Sequence, residues 1–477
     1  MCRSRYRKYK MERSNKPSLL SKHVNSLSLE DQLFQAIKRS SLCSIIDCYI
    51  KGVDANLVID PTNGDNPIHI AVRANVVTLK AILLLFSDEQ MLNGTNNNGE
   101  LPLQLAGRYS SQKRDCIRRF ISIHSKKNNN DDSNQQQQQQ CCKNTVNEEL
   151  KKNNCNKNKP ILLSFDGGGI RGLVLIRVLM IIERKFGRDL WPLIGWVAGT
   201  STGAILACAL AKGISISECQ KLYLQLKSKV FCGKRPLDPT ILEKFLIESL
   251  SSDSMFSIES PKLLITSARC DVAPPPLVLF RNYQLPAELI KEDVLNEFGH
   301  VNENVAIWKA ARCSSAAPTY FPPFDDIYVD GGVICNNPTL ELLTEYTKLR
   351  NYFNLNTPHC VISIGTGTSP AKSLTIYRPL IGRVIHKFSK TTEFMRNMAQ
   401  CLVKQMTESD GRPVVYSKAF CSALGSPFFR FSPQLHEDVR LNETDDACLL
   451  QMLWDVEIGM ERCKNETNKL VKILRDY

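Results

Sequence analysis

From Leu190 to Ala211 the chain carries no charged side chain, and a run of that length has to leave water, either for lipid or for a folded core. Three glycines (Gly195, Gly199, Gly203), Pro192 and the hydroxyl-bearing Thr200-Ser201-Thr202 interrupt it. That mixture fits a buried strand, a tight turn and a buried helix, and a membrane-spanning helix is rejected. We read the strand over Leu193 to Ala198 and the helix over Ala204 to Ala211. Passing directly from one to the other forces a strained backbone at the turn, and glycines on either side let neighbouring backbones pass closely. Ser201 then projects from the sheet edge as a candidate nucleophile. The Thr202 N–H, at the helix start, is positioned to stabilise an oxyanion.

A chain of 477 residues is long enough for two or three domains with sizeable cores. Its 18 cysteines are scattered, and neither Cys141-Cys142 nor any other pair has a partner at zinc-ligand spacing. We therefore expect reduced, mostly buried thiols in a cytoplasmic protein, with no metal and no cofactor. The first residues are basic and polar without an apolar centre, so no secretory signal is expected. Arg3, Arg5, Arg7, Lys8, Lys10, Arg13, Lys16 and Lys22 face only Glu12, which places much of the formal charge of +13 at the start. This reads as a solvated, disordered tail over 1–29; no nucleic-acid module accompanies it, and no nucleic-acid partner is expected.

Residues 30–124 carry an internal repeat. Asn66-Pro67-Ile68-His69-Ile70-Ala71 lies over Leu101-Pro102-Leu103-Gln104-Leu105-Ala106, and a third copy fits at Leu33-Phe34-Gln35-Ala36. The following Gly52-Val53-Asp54-Ala55-Asn56 resembles the turn between ankyrin repeats. Each alanine would sit on the first helix of a pair, where a small side chain lets units stack. Over 125–159 the composition turns to Asn, Lys and the uninterrupted Gln135 to Gln140, a disordered linker.

The remainder, 160–477, alternates strand-like and helix-like runs. Strands are expected at Ile161 to Phe165, Leu263 to Ala268, Leu277 to Phe280, Ile327 to Val329 and Val361 to Ile364, with a helix at Leu173 to Phe186. The alternation predicts a three-layer α/β domain with a largely parallel sheet. Three motifs follow strands and converge on one sheet edge: Asp166-Gly167-Gly168-Gly169-Ile170-Arg171-Gly172, the Ser201 turn, and Asp330-Gly331-Gly332. Backbone N–H groups of Gly167, Gly168 and Gly169 are candidate oxyanion donors, each worth about 3 kcal/mol of transition-state stabilisation. Arg171 is a candidate for holding a substrate phosphate. The same glycines satisfy a dinucleotide fingerprint with Glu183 or Asp189 as the downstream acid, but Glu183 falls inside a helical run instead of ending a second strand. For a base, Asp330 is one choice and a late histidine, His359, His386 or His436, is the other.

The three motifs in this order resemble the patatin-like phospholipase family. Ala310-Ala311-Arg312-Cys313-Ser314-Ser315-Ala316-Ala317-Pro318-Thr319-Tyr320-Phe321 and Ser363-Ile364-Gly365-Thr366-Gly367 fit as well. With ankyrin-like repeats in front, the chain looks similar to the group VI calcium-independent phospholipase A2 branch. The resemblance implies a Ser201–Asp330 dyad without histidine that cleaves glycerophospholipid esters to a fatty acid and a lysophospholipid, without metal. Asp60-Pro-Thr-Asn-Gly-Asp65, the nearest approach to a calcium loop, lacks the spacing and terminal glutamate of one. It further implies a protein partner or self-association through the repeats, although this array is short beside those of the branch. A lysophospholipase, triacylglycerol lipase or acyltransferase would use the same residues, and an ankyrin scaffold with an inactive hydrolase domain is the reading from another class.

A lipid substrate requires docking at a membrane surface. Taken as a helix, Leu380 to Lys390 puts Ile381 and Phe388 with other apolar residues on one face and Arg383 and Lys387 on the other. Such a helix can lie peripherally in an anionic interface or be grasped by a calmodulin-like partner. The same pattern also suits a surface helix packed on the core.

Overall fold

The computed structural model describes residues 27–124, 159–286, 304–368 and 409–477. They fall into two units that divide after Arg114. The first is helical: α1 (Leu29–Lys38), α2 (Leu42–Ile50), α3 (Pro67–Arg73), α4 (Val76–Leu85), α5 (Glu89–Asn93), α6 (Pro102–Tyr109) and the start of α7 (Ser111–His124). Helix α1 packs on α2 and α3, and α3 packs on α4 and α6. Ala36, Ala71 and Ala106, one on each of α1, α3 and α6, are buried. The Asn-Pro start of α3 is a double cap: the Asn66 side chain accepts from the Ile68 and His69 N–H groups, and His69 Nδ1 takes the Asn66 N–H at 3.3 Å. His69 Nε2 reaches the Glu100 carbonyl at 2.8 Å, tying one copy to the next. The Asp60 carboxylate accepts from Thr62 and pairs with Lys38, and Asp65 pairs with Arg73, so both acids serve the turn.

The second unit is built on β1 (Ile161–Phe165), α8 (Gly172–Phe186), β2 (Ile194–Thr200), α9 (Thr202–Ala211), α10 (Ile216–Lys229), α11 (Pro239–Leu250), β3 (Lys262–Arg269), β4 (Leu277–Arg281), α12 (Ile307–Ser314), β5 (Tyr328–Asp330), α13 (Thr339–Leu349), β6 (Cys360–Ile364), α14 (Arg412–Leu424), β7 (Phe428–Phe431), α15 (Asp446–Arg462) and α16 (Lys464–Asp476). The sheet runs β4-β3-β2-β1-β6-β7, with β5 also paired to β3. Neighbours along β3-β2-β1-β6-β7 are parallel, whereas β4 and β5 both run antiparallel to β3. The expected largely parallel sheet is present, with an antiparallel margin and an unforeseen last strand, β7.

Helices cover both faces because both faces are apolar. Strand β1 is buried at every position, as a parallel strand between two helical layers must be. On one side Leu162, Trp196, Leu264 and Val361 meet Leu342, Leu343, Tyr346 and Leu349 of α13 and Cys421 of α14. On the other, α9 lies against β1, β2 and β3, and α12 packs on β3, β5 and α9. The uncharged run is thus a strand, a turn and a helix. Among the described residues no helix is long and apolar enough to cross a membrane.

The basic tail lies outside the described residues up to residue 26, and the Asn/Gln/Lys-rich linker lies outside them from 125 to 158. The amphipathic segment with Ile381, Arg383, Lys387 and Phe388 is also outside.

Candidate active site

Strand β2 ends at Thr200 and α9 starts at Thr202, leaving Ser201 alone at the corner with φ 54° and ψ −119°. A non-glycine residue there is strained by roughly 1–3 kcal/mol and persists only if its surroundings over-determine it. They do. The Ser201 N–H donates to Ser314 Oγ at 2.8 Å, from the end of α12. Thr200 Oγ1 donates to the Cys335 carbonyl at 2.9 Å and contacts Thr266 Oγ1 at 2.7 Å. Close passage of chains does the rest: a Cβ on Gly203 would lie 2.4 Å from the Phe165 carbonyl oxygen, and one on Gly199 2.5 Å from that of Gly203.

The hydroxyl of Ser201 donates to Asp330 Oδ2 at 2.6 Å. Asp330 ends β5, and its other oxygen accepts the Gly332 N–H at 2.7 Å. Burial pushes its pKa up to about 6, against the lowering effect of the Ser201 and Gly332 hydrogen bonds. A carboxylate so placed is a stronger base than an exposed one and touches the hydroxyl it would deprotonate.

Neither described candidate histidine competes. His359 Nε2 contacts the Ile473 carbonyl at 3.1 Å, His436 Nδ1 lies 2.6 Å from Asp455, and His386 lies outside the described residues.

The glycine loop lies beside the serine, but its three amides differ. Gly168 and Gly169 line the same cleft as Ser201 and Thr202, and among the described residues neither N–H has a partner. Gly167 departs from expectation: its N–H is committed to the Asn336 carbonyl at 3.0 Å, and its own carbonyl accepts from Thr366 Oγ1 at 2.9 Å. It braces the loop and offers no free donor. The Thr202 N–H, at the first position of α9, has no intrahelical acceptor, and Tyr223 Oη donates to the Thr202 carbonyl at 2.5 Å. Three N–H groups beside the cleft, of Gly168, Gly169 and Thr202, thus have no acceptor among the described residues and are candidate oxyanion donors.

Arg171 also departs from expectation. It is absent from the cleft lining, its Nε only approaches the Gly168 carbonyl at 3.5 Å, and its charge lies nearest Asp438 and Tyr320. The acid of the loop, Asp166, points away from the serine and is gripped by Arg430, Nη1 to Oδ1 at 3.0 Å and Nη2 to Oδ2 at 2.5 Å. Burial raises its pKa to about 6 in spite of that pair. Glu183 lies within α8 and accepts the Leu190 N–H at 2.8 Å, so the acid of a nucleotide site is not where a dinucleotide fold would put it.

The cleft has a volume of about 810 Å³ including its mouth. Away from the serine its walls are apolar, with Ile205, Leu226, Phe231, Leu242, Phe321 and Leu441. Such a space suits a hydrocarbon chain running from an ester held at Ser201. Ser314, Asn336, Thr366 and Arg430 escaped the sequence reading. Only Ser314 and Thr366 stood inside quoted motifs, and nothing in their spacing marked them as partners of the elbow and the loop.

Residues 163–343 match the family described as patatin-like phospholipase. The chain is 36% identical over 329 residues to the 85/88 kDa calcium-independent phospholipase A2 of Mus musculus, covering 66% of this chain and 40% of that protein. It is 35% identical over 332 residues to the intracellular phospholipase A2 of Caenorhabditis elegans, covering 67% and 29%. Against the calcium-independent phospholipase A2-gamma of Homo sapiens it is 28% identical over 349 residues, covering 66% and 40%. The chain thus spans two fifths or less of the length of these relatives.

Proposed function

We propose, from the premise that residues 163–343 are a patatin-like phospholipase domain, that the chain is a phospholipase A2-type hydrolase of glycerophospholipid acyl esters. The observation that carries this reading is the 2.6 Å contact between Ser201 Oγ, at a strained corner, and the buried Asp330. Ser201 Oγ attacks the ester carbonyl carbon while Asp330 takes its proton. The negative charge on the carbonyl oxygen is met by the N–H groups of Gly168, Gly169 and Thr202. As the tetrahedral intermediate collapses, Asp330 returns the proton to the departing lysophospholipid oxygen, and the acyl group stays on Ser201. Water, deprotonated by Asp330, then releases the fatty acid and restores the serine. No metal enters this scheme.

Ser201→Ala and Asp330→Asn are each expected to lower phospholipid hydrolysis on the order of 10⁴-fold with chelator present. Labelling by a fluorophosphonate should vanish in Ser201→Ala. Full activity in Asp330→Asn would sink the dyad and reopen the search for a histidine, and a folded wild type that never labels would point to a scaffold with an inactive domain.

The helix pairs α1–α2 and α3–α4, with α3 packed on both α1 and α6, support an ankyrin-like reading of the first unit, available to a protein partner or a second copy. The buried alanines on their first helices fit such stacking. Peripheral docking on a membrane, through the Leu380 to Lys390 segment, completes the proposal for a cytoplasmic protein, and liposome sedimentation reads that step.

A further inference from the structure

A second cleft, of about 790 Å³ including its mouth, adjoins the catalytic one and shares Gly332, Val333 and Asn336 with it. These residues follow Asp330 closely, so the wall that carries the base also borders this space. Its remaining lining differs in chemistry from the acyl cleft. Glu341 comes from the first turn of α13, and Arg412 and Tyr416 come from the start of α14.

The Glu341 carboxyl oxygen Oε2 is shut off from water and takes no hydrogen bond, and among the described residues no Lys or Arg lies within ion-pair distance of it. Burial raises its pKa, against hydrogen bonds to the carboxyl from the Cys335 thiol and from its own backbone N–H. An acid left in this condition gains from any cation that enters. Arg412 Nη2 donates to Tyr416 Oη at 2.9 Å, with the guanidinium 5.5 Å from the ring centroid, which holds the charge in place. At the rim, Ile334 and Tyr416 are 44% and 48% exposed, so the mouth is partly apolar.

A fixed cation and a buried acid with no cationic partner among the described residues, beside the proposed serine nucleophile, match a ligand that bears an anion near its esters and a cation beyond it. Zwitterionic phospholipid head groups have that order, with a phosphodiester on the glycerol and an ammonium two carbons further out. We propose that this cleft is the head-group subsite, Arg412 pairing with the phosphate and Glu341 with the ammonium. The inference rests on the phospholipase reading above. Guanidinium–phosphate pairs are strong through charge-assisted hydrogen bonds, and an ammonium answers Glu341 where the uncharged terminal glycerol of a phosphatidylglycerol does not.

The test compares initial rates of the full chain on phosphatidylethanolamine and phosphatidylglycerol in otherwise identical vesicles, with p-nitrophenyl butyrate as an ester lacking a head group. Glu341→Gln is expected to lower the ethanolamine-to-glycerol rate ratio about tenfold, the worth of one charge-assisted contact. Because the ratio is taken within one variant, a general loss of activity cancels. Should that variant fail to fold, Arg412→Gln, at an exposed position, is expected to lower the ratio of phospholipid to nitrophenyl ester cleavage about tenfold. Ratios unmoved in either folded variant, with both lipids still cleaved, would overturn the head-group assignment and leave the phospholipase reading standing. A wild type that cleaves neither lipid would overturn both.

Discussion

The proposed base, Asp330, suits work near neutrality because burial raises its pKa to about 6, well above that of an exposed aspartate. Below that value the carboxyl is protonated and cannot take the Ser201 proton; above it the carboxylate can. The rate of cleavage of a soluble ester is therefore expected to rise with a limb roughly between pH 5 and 7 and to level off above it. A pH–rate profile checks this, and a flat profile across that window would remove Asp330 as the base. Asp166 titrates in the same range, so the profile of Asp166→Asn separates the two: the limb should persist there. At this scale the sequence was informative where chemistry demanded a residue type, as at Ser201 and Asp330. It was silent on Gly167, because an amide that donates to the carbonyl of Asn336, across most of the domain, leaves no trace in residue identity.

Among the elements, the β1–α9 contact is a close constraint on the site. Gly203 on α9 faces the end of β1, and an added Cβ would stand 2.4 Å from the Phe165 oxygen and 2.8 Å from that of Asp166. Both are backbone atoms and cannot step aside. Gly203→Ala is expected to cost about 1–3 kcal/mol of stability by overpacking and to weaken fluorophosphonate labelling further, since the glycine loop starts at Asp166. Thermal unfolding and labelling rates measure the two effects, and a variant matching wild type in both would contradict the contact. The parallel core strands β1, β2, β3 and β6 were legible as short, largely apolar runs without charge at their centres. Strand β7 was not, because Phe428–Phe431 is only four residues with alternating burial. The reversed sense of β4 and β5 was also hidden, since direction depends on connections that pattern does not report.

Across the whole molecule, acid should act first on a buried cluster remote from the serine. Burial alone would raise the Glu457 pKa, but Arg177 and His124 hold it down to about 2. Burial lowers His124 to about 4, its Nε2 lying 3.0 Å from Glu457. As pH falls, the unfolded chain protonates each group before the folded one does: histidine from its ordinary value of 6.5 and glutamate from 4.5. The cluster's contribution is thus complete above about pH 6.5 and declines below it. The unfolding temperature should fall as pH drops from roughly 7 to 4, less steeply in the upper part of that window for His124→Gln, as calorimetry can read. Equal slopes would exclude the histidine. Another consequence at this scale follows from the Ser314 contact. With the Ser201 amide occupied, the proposed reaction takes its donors from the loop after β1 and the start of α9, its attack from the end of β2, and its base from β5. Their mutual spacing is a vernier cut into the sheet itself, through Phe165 opposite Gly199, Thr200 opposite Thr266 and Ser267 opposite Asp330. A slip of two residues in one ladder would displace a group by about 7 Å. A core substitution that let β1 slide would leave every reacting group intact and still silence the reaction.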